Sequence, residues 1–323
     1  MDSMLSLLQQ RQNRRYFIKR ESSVLYALIF LVAIFIFGCV SSEYFLTARN
    51  LRNLLSLNVG MLILTFGQYI ILLLGGVDLS VSSVISICSV MCAKYMTDSP
   101  ASWLLIIALC IVASAVIGFV NGMLVTYGGL QAIIATLATQ TIFAGVALAI
   151  MPQPGGHIPA ALMKFVTKGW GYTVPLLIVV LFFILVWIVA NRTALGRGIL
   201  AVGGNEQSAE TSGISADRIK IAGFILCSIL AGFAGIYLGI FSSSGNPLLG
   251  EPYAQRSITA AVLGGTLLSG GKGSVVGCVL GALILGLITN ILNLLGVSAY
   301  YQFVVQGALL ILTLAMGALK SRK

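Results

Sequence analysis

A few places in the chain carry residue types that could do chemistry. Asp78, in Gly75-Gly76-Val77-Asp78-Leu79-Ser80, is the one acidic residue between Glu43 and Asp98. A carboxylate at the centre of a membrane helix costs about 2.5–3.5 kcal/mol on insertion scales, so it must be capped, paired or wetted. Asp78 can be a proton or solute site, or it can cap the helix that begins near Ser80 after a glycine turn. Capping is favoured, because no second acidic residue or histidine is placed to complete a relay. The glycine-rich run 262–273, ending in Ser269-Gly270-Gly271-Lys272-Gly273, suggests phosphate binding. It fails as a P-loop: Thr266 stands where the first glycine belongs, and Gly273 replaces the Ser or Thr. A turn between close-packed helices explains it better. Cys39, Cys88, Cys92, Cys110, Cys227 and Cys278 lie in apolar stretches without a CxxC pair, and His157 is the single histidine. That is too few ligands for a zinc or haem site, and His157 reads as a solvated loop residue. There is no Ser–His–Asp set, no HExxH and no pair of carboxylates within one span, so neither an enzyme nor a cofactor or metal is expected.

The remaining polar residues inside apolar runs are mostly amides: Asn58, Gln68, Asn121, Gln140, Asn290, Asn293, Gln302 and Gln306. Each can be interhelical glue. Together they can also line a path for a neutral, hydroxyl-rich solute, which needs hydrogen-bonding partners but no charge. Asp78, Asn121, Gln140, Asn290 and Asn293 are therefore the candidates for a translocation path or a structural motif.

The elements that position these residues follow from composition. Of 323 residues, 58% are hydrophobic and 9% are charged, against about 25% charged in a soluble domain. No water-facing surface can be built from this chain, which excludes a soluble enzyme, a disordered protein and a secreted disulfide scaffold. With 36 glycines and 7 prolines, it reads as an all-α polytopic membrane protein, since inside hydrocarbon each span must satisfy its own backbone. Apolar runs fall at 24–41, 54–74, 80–97, 102–126, 132–151, 174–191, 220–241, 257–269, 275–295 and 302–319, about ten transmembrane helices. The run 257–269 is short for a crossing of about 20 residues and reads as a broken or re-entrant helix. The stretch 152–173 reads as an outer loop rich in proline and glycine.

With the amino terminus in the cytoplasm and every run crossing, Arg11, Arg14, Arg15, Lys19, Arg20, Arg192, Arg197, Arg218, Lys220, Lys272, Lys320, Arg322 and Lys323 fall inside. Arg49, Arg52, Lys94, Lys164, Lys168 and Arg256 fall outside. This bias places both termini in the cytoplasm and fits ten crossings, or eight, better than nine. The net charge of +10 is thus a topology signal, and no nucleic-acid partner is expected. The expected organisation is a basic segment 1–23, a transmembrane domain 24–319 and a tail 320–323. The cytoplasmic loop 192–219 carries structure of its own. Asn205 can cap a short helix, Glu206 suits its positive end and Gly213 can stop it. Such a helix on the cytoplasmic face predicts a docking element for a partner.

Several blocks resemble one family. Gly75-Gly76-Val77-Asp78-Leu79-Ser80-Val81, Gln131-Ala132-Ile133-Ile134-Ala135-Thr136-Leu137, Thr193-Ala194-Leu195-Gly196-Arg197 with Ala201-Val202-Gly203-Gly204-Asn205, and Ala261-Val262-Leu263-Gly264-Gly265-Thr266 with Ser269–Gly273 are similar to motifs of the bacterial ABC importer permeases for ribose, xylose, galactose and related sugars. Asn293-Leu294-Leu295-Gly296-Val297-Ser298 with Tyr300-Tyr301-Gln302 looks especially like the ribose permeases. The blocks keep the family's order over about residues 45 to 315. The resemblance implies a subunit of the bacterial inner membrane, with membrane lipid around it and without enzymatic activity. It implies a second permease subunit, the same or related, a separate cytoplasmic ABC ATPase subunit and a periplasmic solute-binding protein. The family's coupling loop maps onto Gly203, Gly204, Asn205, Glu206 and Gly213. Ser82 stands where many relatives have glycine. Ala254 and Arg256 stand where relatives commonly show an acidic pair, a reversal of charge expected on the outer side, where the binding protein docks. The rival reading is a secondary transporter driven by an ion gradient, with Asp78 as its coupling group.

Overall fold

The computed structural model describes residues 24–321; the basic segment 1–23 and the last two residues of the tail 320–323 lie outside them. The described chain is helical from end to end: α1 (Val24–Ser41), α2 (Ala48–Leu73), α3 (Val81–Tyr95), α4 (Pro100–Thr126), α5 (Ala132–Ile150), α6 (Ala160–Arg192), α7 (Ala194–Gly204), α8 (Glu206–Thr211), α9 (Ala216–Ser242), α10 (Glu251–Leu263), α11 (Val275–Leu294) and α12 (Ala299–Ser321). Among these residues no strand forms, and one isolated antiparallel bridge joins Gly155 to Gly245. Seven of the helices are long and apolar enough to cross a membrane. The protein is a polytopic membrane protein.

Helices that are apolar all round are buried or face lipid, and the bundle sorts them. α2 and α9 run through its middle, packed on each other, α9 also against α3 and α4 and α2 against α10 and α11. Most of α2 from Ser56 to Leu73 is buried. α1 does the opposite and exposes Leu25, Ile29, Phe37 and Val40. α4 turns Leu104, Leu105, Val112 and Val116 outward, and Gly118 and Gly122 inward against the α9 backbone. A Cβ on Gly122 would sit 2.8 Å from the Cα of Ile221, so only glycine allows this approach. The pairs Gly235/Gly239 and Gly277/Gly281 likewise press on α3 and α10. All three spacings serve contacts within the chain.

Two helices are too short to cross alone. α3 has 15 residues and α10 has 13, about 22 and 20 Å at 1.5 Å per residue, against roughly 30 Å of hydrocarbon. Each is preceded by a stretch of non-helical chain that runs through the bundle. Residues 74–80 return alongside α2 and α5 before α3 begins. Residues 243–250 run down α3 from Ala93 toward Ser82 before α10 begins. The run read as 257–269 is therefore displaced. Its helix is Glu251–Leu263, and 264–273 forms the glycine-rich turn that follows.

That backbone lies inside the protein and must find partners. Asn246 N–H donates to Ser89 Oγ at 3.3 Å, and Gly250 N–H to Ser86 Oγ at 3.1 Å. Ser82, Ser86 and Ser89 are spaced to share one face of α3. Their neighbours Ser80 and Ser83 are also buried.

The expected outer loop 152–173 departs from its reading. It contains the first turns of α6, which run from Ala160 until the backbone leaves helical values at Gly169–Tyr172. A helix resumes up to Arg192, which covers the run read as 174–191. The loop 192–219 holds two helices rather than one, because Thr193 accepts the Gly196 N–H and starts α7.

Removing the Ser86 hydroxyl leaves a buried N–H unpaired. Ser86→Ala is expected to cost about 1–3 kcal/mol, seen as a lower melting temperature of the detergent-solubilised protein, with Ser242→Ala, an exposed-site control, showing a smaller change.

Candidate functional site

Asp78 is fully buried in the segment between α2 and α3. Its Oδ1 accepts from Ser80 N–H at 2.9 Å and from Ser80 Oγ at 2.6 Å. The helix starts at Val81 with Ser80 as N-cap residue, so Asp78 closes a turn two residues upstream instead of occupying the cap position. Ser80 Oγ in turn accepts from Asn121 Nδ2 at 2.7 Å, and Asn121 Oδ1 accepts from Thr139 Oγ1 at 2.6 Å. Each group donates to the next, from α5 through α4 to a carboxylate at the end. Thr136 Oγ1 accepts the Leu79 N–H at 3.1 Å. The Gln68 amide, turned to satisfy both atoms, spans the backbone N and O of Asp78 at 3.2 Å each. Asp78 Oδ2 has no hydrogen-bond partner; the Cys227 thiol faces the carboxylate, but its geometry falls short of a hydrogen bond. The arrangement immobilises a non-helical segment between three helices. Ser80, Thr136 and Thr139 are the members that sequence reasoning passed over, and their signal was faint: small hydroxyl residues in apolar runs.

The segment's other end leads to α8. Leu73 O, at the end of α2, accepts the Gly271 N–H at 2.8 Å. Gly203 packs so closely on the same carbonyl that a Cβ there would collide with it. Gly270 and Gly271 hold φ of +85° and +69°, values that favour glycine. The run once compared with a P-loop is thus a turn clamped between α2 and α7. Beyond Gly204, Asn205 caps α8 by accepting the Ser208 N–H at 2.8 Å. Glu206 occupies the first turn and pairs with Lys220 of α9, and Gly213 follows the helix at φ +83°. Ala209 is buried with Val202 and Ala216, while Glu206, Gln207, Ser208 and Glu210 face outward. α8 is held from beneath and presents a polar face.

The remaining candidates separate. Asn290 and Asn293 on α11 line a cavity of about 160 Å³ with Asn58, Tyr253, Arg256 and Thr289. Asn290 and Asn50 exchange reciprocal amide bonds of 2.8 and 3.0 Å. Asn293 Oδ1 accepts from Gln302 at 2.7 Å and ties α11 to α12. Gln140 is half-buried on α5 and joins neither group. Ala254 is buried in the core, and Arg256 stands in the cavity wall, bonded to Gln306 of α12.

A capped surface helix and a bundle of long apolar helices set the frame for comparison with known proteins. Residues 50–314 match the family described as branched-chain amino acid transport system / permease component, and the chain belongs to that family. The ribose import permease protein of Escherichia coli strain K12 is 37% identical over 317 residues, covering 94% of this chain and 96% of that protein. The ribose import permease protein of Bacillus subtilis strain 168 is 36% identical, covering 97% and 98%. The D-allose transport system permease protein of Escherichia coli K12 is 34% identical, covering 92% of each. No solved structure matches.

Asp78→Asn keeps an acceptor at Oδ1 and is expected to retain most transport and thermal stability. Asp78→Ala strands two Ser80 donors and is expected to lose about 1–3 kcal/mol. Parallel melting curves and uptake assays of the two variants check this; loss of transport in a normally folded Asp78→Asn would mean that the charge itself is used.

Proposed function

We propose that this protein is the membrane-spanning permease subunit of an ABC importer in the bacterial inner membrane. It moves a sugar or similar neutral polar solute, delivered by a periplasmic solute-binding protein. A separate cytoplasmic ATPase subunit supplies the energy, and a second permease subunit, identical or related, completes the path. The observation that carries the reading is α8, capped by Asn205, seated through Ala209 on Val202 and Ala216, and outward-facing along its polar side. The near full-length similarity to import permeases named for ribose and allose supports the solute class.

In this reading the chain crosses ten times with both termini in the cytoplasm. Residues 74–95 and 243–263 each count as one crossing, built from an extended lead and a short helix. The permease domain is 24–319, and 192–219 is its coupling loop, with Gly203, Gly204, Asn205, Glu206 and Gly213 as the coupling residues. ATP binding and hydrolysis in the partner displace α8, and rigid-body motion of the helices opens the path to alternate sides. Asn290 and Asn293 belong to the path. Asp78 and Asn121 hold the bundle together, and Gln140 stays a lesser path candidate. The ion-gradient reading gains no support, since its coupling carboxylate is engaged in a turn.

Purification of the tagged chain from its native membrane in mild detergent is expected to recover an ATPase subunit at one per permease. Deleting 205–213 is expected to abolish that recovery and uptake while leaving the membrane bundle folded. Uptake by the chain alone in ATP-free vesicles would overturn the proposal.

A further inference from the structure

The cavity between α2, α10 and α11 contains one charged side chain, which neither the Asp78 network nor the coupling end uses. Arg256 lies on α10, which starts deep in the bundle beside Ser82 and Ser86. In the cavity wall Arg256 is grouped with Met61, midway along α2, and Leu285, midway along α11. A cation at that depth is costly and marks function. Its Nε donates to Gln306 Oε1 at 2.7 Å, and its guanidinium carbon lies 5.9 Å from the Tyr253 ring centroid. Neither contact neutralises it. Among the described residues the Lys or Arg ion pair is Lys220–Glu206, so no carboxylate of those residues answers Arg256.

With Nε engaged, the two Nη groups remain as a planar pair of donors. The cavity's other polar groups, the amides of Asn58, Asn290 and Asn293 and the Thr289 hydroxyl, belong to types that both donate and accept. Such a mixture matches hydroxyl groups, which also do both. The volume of about 160 Å³ lies below the roughly 300–1,000 Å³ of pockets for drug-sized ligands, which limits an occupant to about one sugar ring.

We propose that this cavity is a solute-contact site and that Arg256 sets its specificity, donating through its two Nη groups to adjacent hydroxyl oxygens of a neutral monosaccharide or small polyol. The inference rests on the sugar-importer reading and deepens it. The same charge repels cationic solutes. A carboxylated sugar would form a bidentate charge pair in a low-dielectric site and be retained, whereas a transport contact must be weak enough to release.

The test uses the purified permease with its ATPase subunit in lipid nanodiscs. Thr289→Cys is labelled with an uncharged maleimide, with the parent protein as background. Excess D-ribose is expected to slow labelling, 2-deoxy-D-ribose to slow it less, and D-glucosamine not at all. Arg256→Gln should weaken the D-ribose effect about fivefold to tenfold, the equivalent of one lost hydrogen-bonded pair. Arg256→Lys, which keeps the charge but loses the planar fork, should weaken it by less. Elution of both variants as intact complexes separates this effect from misfolding. Unchanged protection in Arg256→Gln, no protection by D-ribose in Thr289→Cys with Arg256 intact, or stronger protection by D-glucuronate would overturn the proposal. Failure of the importer reading shows separately, as a permease that recovers no ATPase at all.

Discussion

Backbone that is not helical has to be satisfied inside an apolar bundle, and most of this structure is arranged around that constraint. Two stretches, 74–80 and 243–250, run through the interior without helical hydrogen bonds of their own. In hydrocarbon each unpaired N–H or C=O costs several kcal/mol. The protein meets the demand with side chains of neighbouring helices: Gln68 and Thr136 for the first stretch, Ser86 and Ser89 for the second. Asp78 is the strongest of these acceptors and anchors the line through Ser80 and Asn121 to Thr139.

The interrupted helical segments also meet at one point. The carbonyl of Leu73 closes α2, receives Gly271 from the glycine-rich turn and bears the weight of Gly203 from α7. One peptide group is thus common to the end of α2, the turn after α10 and the end of α7, the helix that leads into α8. Immediately beyond it begins the segment that Asp78 holds. In the proposed mechanism a displacement of α8 meets rigid contacts leading to both interrupted crossings, without any flexible loop between. Packed elements with discrete arrangements are the kind of route by which such coupling travels.

The cavity side of the bundle is built differently. There α11 supplies Asn290 and Asn293, α2 supplies Asn50 and Asn58, and α10 supplies Arg256. Part of this polarity is spent on structure, as the Asn50–Asn290 pair and the Asn293–Gln302 bond illustrate. The remainder borders open space. The Asp78 network is closed and the Arg256 cavity is open. That difference separates residues that hold the helices from residues that can meet a solute, though both sets are amides and hydroxyls in apolar runs.

Local information was enough for the elements themselves. Runs of apolar residues gave α1, α4, α5, α9 and α11 nearly end to end, because a span in hydrocarbon must be a helix whatever it packs against. Asn205, Glu206 and Gly213 announced α8, since a cap acts on backbone groups within a few residues of itself. The glycine spacings announced close approach but not the partner. What the sequence could not settle was every relation between distant segments. The lead into α10 is polar chain whose partners, Ser86 and Ser89, lie more than 150 residues away in sequence. The depth of Arg256 depends on where α10 begins, and that depends on the lead. The division of Asp78 and Asn121 from Asn290 and Asn293 follows from which helices adjoin. Periodicity and capping are short-range physics and can be read along the chain, whereas satisfaction of buried polar groups is a pairing problem that only the packed structure solves.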